Sequence, residues 1–175
     1  MRNVWLLGGL ATVLTAVALA IVLSAFFSSS DDDSVDLVDR EQFTVDLVQQ
    51  ALERYDRDGR EATLKYYNSP ESANGEWYIF ILDAEGTVVA HINQTLLGRG
   101  VKEGLGVDAT GYRFGEVMLG ATEDGLWVDY VFFNPKTGKQ DVKHSWVVRH
   151  DGLIFGSGWY EGDEAQWPDF QLRLV

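Results

Sequence analysis

The 175-residue chain contains no cysteine. That excludes disulfides, thiolate metal sites, a cysteine nucleophile and a lipid anchor on cysteine. Positive charge is scarce too: 14 Lys and Arg stand against 27 Asp and Glu, for a formal net charge of −13, and Arg2 is the only basic residue before position 40. A surface this acidic repels phosphate backbones and anionic headgroups, so nucleic acid is not an expected partner. It also fits a high-salt habitat. The three histidines, His91, His144 and His150, lack the H-x-x-x-H or H-E-x-x-H spacing of a helical metal site, and no metal or other cofactor is expected.

Catalytic patterns are equally scarce. Gly156-Ser157-Gly158 lacks the spacing of a nucleophile elbow. The glycines at 98, 100, 104 and 106 form neither a dinucleotide-binding nor a Walker sequence. Asp56-Arg57-Asp58-Gly59 faintly suggests a calcium loop, but Arg54 and Lys65 then fall where acidic ligands belong. Asn93-Gln94-Thr95 is a glycosylation sequon, relevant in a eukaryotic source. The chain is not expected to be an enzyme, although a secreted or periplasmic hydrolase and a ligand-free interaction module stay open as alternatives.

What is present begins with a membrane-length segment. Val4 to Phe27 is 24 residues without a charge, and about 20 such residues span a bilayer as a helix. With Arg2 before it and Asp31-Asp32-Asp33 after it, the positive-inside tendency puts the tail in the cytoplasm and the remainder outside. Ala18-Leu19-Ala20 resembles a signal-peptide cleavage site, but the apolar run continues for seven residues beyond it, which favours an uncleaved anchor. The expected division is an anchor at 1–28, an acidic linker at 29–38, a folded domain at 39–162 and a tail at 163–175.

Within the domain, Phe43, Leu47, Ala51 and Tyr55 recur at helical spacing. Asp39 is the expected N-cap, with Gln42 three positions on. Asp58-Gly59 should end this helix, and Arg60 to Tyr67 should form a shorter one before Pro70. Trp77–Leu82 and Thr87–Ile92 read as a hairpin around Asp83-Ala84-Glu85-Gly86. Asn93 to Asp124 is a long connection holding seven of the 18 glycines. Connections of this length are more often functional loops than idle coil, and this one should cover one face of the sheet. Gly125 to Tyr160 then supplies three antiparallel strands with turns at Asn134–Lys139 and Asp151-Gly152. Sequential antiparallel strands with helices to one side make an α+β domain.

A two-residue turn at Asp151-Gly152 pairs His150 with Leu153, Val148 with Phe155, Trp146 with Ser157 and His144 with Trp159. One face of that hairpin then carries His144, Trp146, Val148, Phe155 and Trp159, bulky enough to pack on helices. The other carries Lys143, Ser145, Val147, Arg149, Ile154, Gly156, Gly158 and Tyr160. Strand glycines mark close approach, either of a ligand or of a covering loop. In the first hairpin the expected turn makes Leu82 oppose Thr87, Phe80 oppose Val89 and Tyr78 oppose His91. The register of the third strand stays open, because the length of the Asn134–Lys139 turn is ambiguous. A lysine and tyrosines beside aromatic walls would suit a small anionic ligand.

The segments WYIFILDAEGTVVAH, GVDATGYRFG, GLWVDYVFFNP, KHSWVV and GLIFGSGWY, in this order, resemble the single Cache domain family over roughly residues 40 to 162. The resemblance implies a PAS-like five-stranded antiparallel sheet of order 2-1-5-4-3 on a long N-terminal helix. It implies extracytoplasmic sensing of small molecules, often short carboxylates, in a pocket between the sheet and the loop after the second strand. By motif position it nominates His91, Tyr130, Lys143 and Trp127 as ligand contacts, to which the hairpin pairing adds Tyr78. Members usually have a second membrane span leading to an output module, whereas this chain ends 15 residues after Tyr160. The expectation is therefore a partner protein that takes the signal, a stand-alone binding subunit, or a truncated chain.

Overall fold

The computed structural model describes residues 32–161, with side chains from Asp39 onward. The expected membrane segment at 1–28 and the tail at 163–175 lie outside the described residues. Among the described residues no helix is long and apolar enough to cross a membrane. The chain divides after Asp39 into two units, and the fold below is that of the second.

Helix α1 spans Asp32–Tyr67 and is broken at Gly59 (φ 81°, ψ 170°), where the Asp58-Gly59 stop signal stands. It starts earlier than the Asp39 cap expected from sequence. Acidic residues that read as a linker also complement the positive end of a helix dipole, so composition could not separate the two. The strands are β1 Phe80–Leu82, β2 Val88–Ala90, β3 Leu126–Asn134, β4 Lys139–His150 and β5 Leu153–Tyr160. They form one antiparallel sheet of order β2-β1-β5-β4-β3. A short helix α2, Phe114–Met118, lies in the long connection between β2 and β3.

The β4–β5 register is the one the two-residue turn dictates, from His150↔Leu153 to His144↔Trp159. Asp151 and Gly152 take the positive φ values, 47° and 74°, that such a turn needs. The first hairpin differs from expectation: Leu82 pairs with Val88 and Ile81 with Ala90, with a bulge between. The cause is Asp83. Its amide donates to the Thr87 carbonyl, and its carboxylate accepts the Thr87 amide at 2.7 Å, which closes the turn one residue later. The bulge at Val89 then returns His91 to the face of Tyr78. Strand β1 is also shorter than Trp77–Leu82: the Trp77 amide and carbonyl bond Asn74 instead of the sheet, and just before it the Glu76 carboxylate accepts the Tyr160 amide at 3.0 Å.

The two sheet faces bury different things. On one, Val48, Ala51 and Tyr55 of α1 pack with Ile79, Ile81, Val148 and Phe155. On the other, Val101, Phe114, Met118 and Ala121 of the β2–β3 connection pack with Tyr78, Phe80, Leu82, Tyr130, Val147 and Ile154. That connection is a lid, as its length and glycine content suggested, and it is clipped at both edges of the sheet. The Val101 amide donates to the Gly86 carbonyl, and Val88 exchanges bonds with Arg99 and Gly98 beside β2. At the far edge the Asp108 carboxylate accepts the amide of Val131 on β3 at 3.0 Å. The Arg149 guanidinium donates to the carbonyls of Ala121 and Leu119 at 2.9 and 2.7 Å.

Inside the lid two backbones cross without room for a side chain. A Cβ on Gly106 would stand 1.6 Å from the Val101 carbonyl oxygen, and one on Gly115 2.1 Å from the same atom. Gly104, two residues away, has open space. Gly106→Ala is therefore expected to cost about 1–3 kcal/mol of stability, with loss of amide-exchange protection concentrated in residues 94–121. Gly104→Ala should leave the urea midpoint nearly unchanged; equal effects of the two would show that the crossing is not tight.

Candidate functional site

Lys143 stands on β4 directly between Tyr130 of β3 and Tyr160 of β5. Alternation along β4 turns it toward the lid, together with Ser145 and Val147. Its side chain is 1 % exposed. Its Nζ lies 4.1 Å from the ring centroid of Tyr78 and 4.9 Å from that of Tyr160, with the rings of Phe80 and Phe132 at 5.8 and 6.0 Å. Cation–π attraction to four rings offsets part of the cost of desolvating an ammonium. It does not offset all of it: burial pushes the lysine down to about 7, with the charge of Glu76 pulling the other way.

The hydroxyls around Lys143 form a directed chain. Tyr160 Oη donates to the Phe133 carbonyl at 2.9 Å, so the Tyr78 hydroxyl is the donor in its 3.5 Å contact with Tyr160. Lys143 Nζ donates to Tyr78 Oη at 2.7 Å. The remaining protons of Nζ are then available to an incoming acceptor. Tyr130 Oη pairs with Ser145 Oγ at 3.1 Å, and its ring stacks on Phe114 of α2 with centroids 4.0 Å apart. Burial raises the titration of Tyr78, Tyr130 and Tyr160 above the ordinary phenol range, so all three are neutral hydrogen-bonding groups.

His91 closes the other side, with its ring 4.8 Å from that of Tyr78. Its Nδ1 accepts the Asn93 amide at 2.8 Å, which leaves the proton of the neutral ring on Nε2. Burial, reinforced by the charge of Lys143, pushes the imidazole down to about 3. These groups line a cavity of about 40 Å³ between sheet and lid, with Lys143, Tyr78, Tyr130 and His91 as its polar members and apolar side chains such as Leu96, Leu105 and Phe114 over them. A water needs roughly 10–15 Å³ on this measure, so the space suits a ligand of a few heavy atoms. A larger hollow of about 230 Å³ lies around Arg54, Arg57 and Tyr66. Its arginines already bind Asp58, and Arg54 also covers the Tyr66 ring, so the smaller cavity is the better site.

Of the five residues singled out from sequence, the fold brings four together: Tyr78, His91, Tyr130 and Lys143. Trp127 is not among them. It pairs with Trp146 across β3–β4, their rings 5.4 Å apart, and Trp146 packs with the helix-side core. Trp127 and Tyr130 stand three positions apart and so face opposite sides of β3 whatever its register; the motif position that nominated Trp127 ran against that alternation. The strand glycines do not make ligand space either. The Cβ of residue 156 would strike the Phe80 ring at 2.2 Å, and that of residue 158 would meet Ser145 Oγ at 2.6 Å. Ser157 is fully buried and paired with Trp146 on the other face. Among the described residues no cluster suits a metal ion.

The side chains that sequence reasoning missed are mostly apolar: Phe80, Phe132 and the lid residues, Phe114 above all. Tyr160 was placed on the right face by the hairpin pairing, and its reach to the Phe133 carbonyl depends on tertiary packing. An uncompensated amine in such surroundings costs several kcal/mol. Lys143→Met, which keeps the length and removes the charge, should therefore raise the unfolding free energy at pH 6 by about 1–4 kcal/mol. The sign follows from linkage. Between about pH 7 and 10.5 the unfolded chain binds the extra proton, so wild-type stability rises with pH across that window and the advantage of Met shrinks. Urea unfolding at pH 6 and pH 9 measures both; a destabilised methionine variant at both pH values would contradict this account.

No protein-family model matches the sequence, and no curated protein does. Solved structures do match. A methyl-accepting chemotaxis protein from Vibrio parahaemolyticus RIMD 2210633 superposes with a TM-score of 0.63 at 18 % identity, over 75 % of this chain and 95 % of that one. A periplasmic sensor domain of a chemotaxis protein gives 0.58 at 21 % identity, over 75 % and 99 %. A Cache chemosensory domain described for carboxylic acid recognition gives 0.56 at 20 % identity, also over 75 % and 99 %. The chain has the fold of the single Cache-like chemotaxis sensor domains.

Proposed function

We propose that residues 39–162 are an extracytoplasmic sensor domain that binds a small carboxylate and has no catalytic activity of its own. The observation that carries this reading is Lys143: an amine buried against a small cavity whose other polar members are neutral hydrogen-bonding groups. A carboxylate would accept from Nζ and from the hydroxyl of Tyr130, with Nε2–H of His91 as a further donor, while Tyr78 orients Nζ by accepting one of its protons. Its short apolar part would meet Leu96, Leu105 and Phe114 of the lid. No carboxylate lines the cavity, so the ammonium of an amino acid would find no partner there. Monocarboxylates of two or three carbons fit best. The likeness in fold to a domain described for carboxylic acid recognition supports the same class.

In this reading residues 1–28 anchor the protein in the membrane as a single span with the N-terminus in the cytoplasm. Ligand orders the 93–124 connection over the sheet and shifts α1 where it leaves the membrane, and a partner protein takes the signal. The carboxylate replaces solvation that Lys143 has lost, so its binding stabilises the closed lid. That is the physical basis for coupling occupancy to conformation.

A thermal-shift screen of small carboxylates and amino acids on the full chain in detergent tests the ligand class, because a ligand that binds the native state raises its stability. Short monocarboxylates should raise the melting temperature and amino acids should not. Lys143→Ala should weaken binding of a hit by about 1.5–3 kcal/mol. An affinity unchanged in that variant would remove Lys143 from the site, and turnover of ester or amide substrates would favour a hydrolase instead.

A further inference from the structure

The buried amine raises a question that ligand class alone does not answer: where its proton is when the cavity is empty. Lys143 has one hydrogen-bond partner in its immediate surroundings, the Tyr78 hydroxyl at 2.7 Å, and four aromatic rings. The titratable groups that face it come from every packed strand. Glu76 and Tyr78 precede β1, His91 follows β2, Tyr130 is on β3 and Tyr160 on β5. The three tyrosines and the histidine are neutral. The Glu76 carboxylate is occupied with the Tyr160 amide and acts on the lysine only as a favourable charge outside the cavity lining. The lid adds Leu96, Val101, Leu105, Phe114 and Met118, none of which titrates. A full positive charge in the empty cavity is thus held by ring faces and one phenol, on a residue that is 1 % exposed.

We propose that this site is proton-coupled: Lys143 is neutral in the empty cavity above neutral pH and takes up one proton as an anionic ligand enters. The domain would then respond to carboxylate and acidity jointly. The inference rests on the carboxylate reading and deepens it. The step is simple in its balance: a proton from solvent adds to the lone pair of Nζ, the carboxylate enters as the anion, and no covalent bond to the ligand forms. Charge in the cavity is neutral before and after. Separate entry of either ion would bury an unpaired charge. The position of the free amine's titration near 7 agrees with this picture.

Below about pH 7 the amine is already charged and affinity is flat. Above it the competent fraction falls tenfold per pH unit, until the titration of the occupied site is reached. Acetate is a suitable probe, titrated calorimetrically into the full chain in detergent from pH 6 to pH 9. Each pH uses two buffers of different ionisation enthalpy. The expected result is a dissociation constant that weakens roughly 90-fold from pH 6 to pH 9, with heats at pH 9 showing close to one proton taken up per acetate bound. Lys143→Arg, whose guanidinium stays charged, should bind with a flat pH profile. If that variant fails to bind, the buffer dependence of the wild type decides alone. Acetate binding with a constant affinity and no buffer-dependent heat overturns the coupling and leaves the carboxylate reading standing. If no carboxylate binds at any pH, that reading falls instead. The NMR titration of the Lys143 Nζ signal in the empty protein then decides the remaining half, since an ammonium still protonated at pH 9 refutes it.

Discussion

An amine carried to the middle of a sheet face, with 1 % of its surface exposed, has to be compensated by what surrounds it. The register of three strands supplies the first part of that compensation by setting Tyr130 and Tyr160 on either side of Lys143. The second part is the aromatic faces of Tyr78, Phe80 and Phe132. None of these is a counter-ion. The nearest acid, Glu76, is held by the Tyr160 amide and does not line the cavity, so Nζ has no anion against it there. In the proposed reading that deficit is the basis for recognising an anion despite a net charge of −13 on the whole chain. Long-range repulsion is screened over about 10 Å at ordinary salt, whereas a contact in a desolvated cavity is not.

The deficit has value only while water is kept out, which makes the lid part of the site rather than a cover on it. Its clips are polar bonds at the two sheet edges, through Asp108 to Val131 and through Gly86 and Val88 to Val101 and Arg99. Asp108 is held down to about 2, first by the Thr110 hydroxyl and then by the amides it accepts, so the clip at β3 persists in mild acid. Between the clips the lid is bound by apolar contacts and by the stack of Phe114 on Tyr130. On the opposite face, Tyr55 Oη donates to Asp151 at 2.6 Å and His150 bonds Asp56 at 2.7 Å. The β4–β5 turn and α1 are thereby joined at the far end of the strand pair that carries Lys143 and Tyr160.

How far the chain could be read in advance followed the range of the forces involved. A two-residue turn at Asp151-Gly152 dictates strand register locally, so the β4–β5 pairing, the two faces and the placing of Lys143 beside Tyr160 were all legible. The Gly59 break in α1 was legible for the same reason. The first hairpin was misread by one position because the Asp83 carboxylate competes for the Thr87 amide, a side-chain effect that turn length alone does not encode. Tyr78 and His91 still met, through a bulge that sequence pattern could not locate. Trp127 was assigned to the cavity on motif position alone, and the parity of β3 turned it toward Trp146.

By itself, then, the sequence determined the alternation of faces, the glycine-rich lid, the break in the helix at Gly59 and the isolation of a lysine among aromatics, because each depends on residues near one another in the chain. Only the tertiary structure decided what Gly156 and Gly158 make room for, which lid residue stacks on Tyr130, and how little space remains beside Nζ. Those outcomes depend on how side chains 13 to 76 positions apart fill a common volume. Close packing permits few solutions to that problem and announces none of them in local pattern.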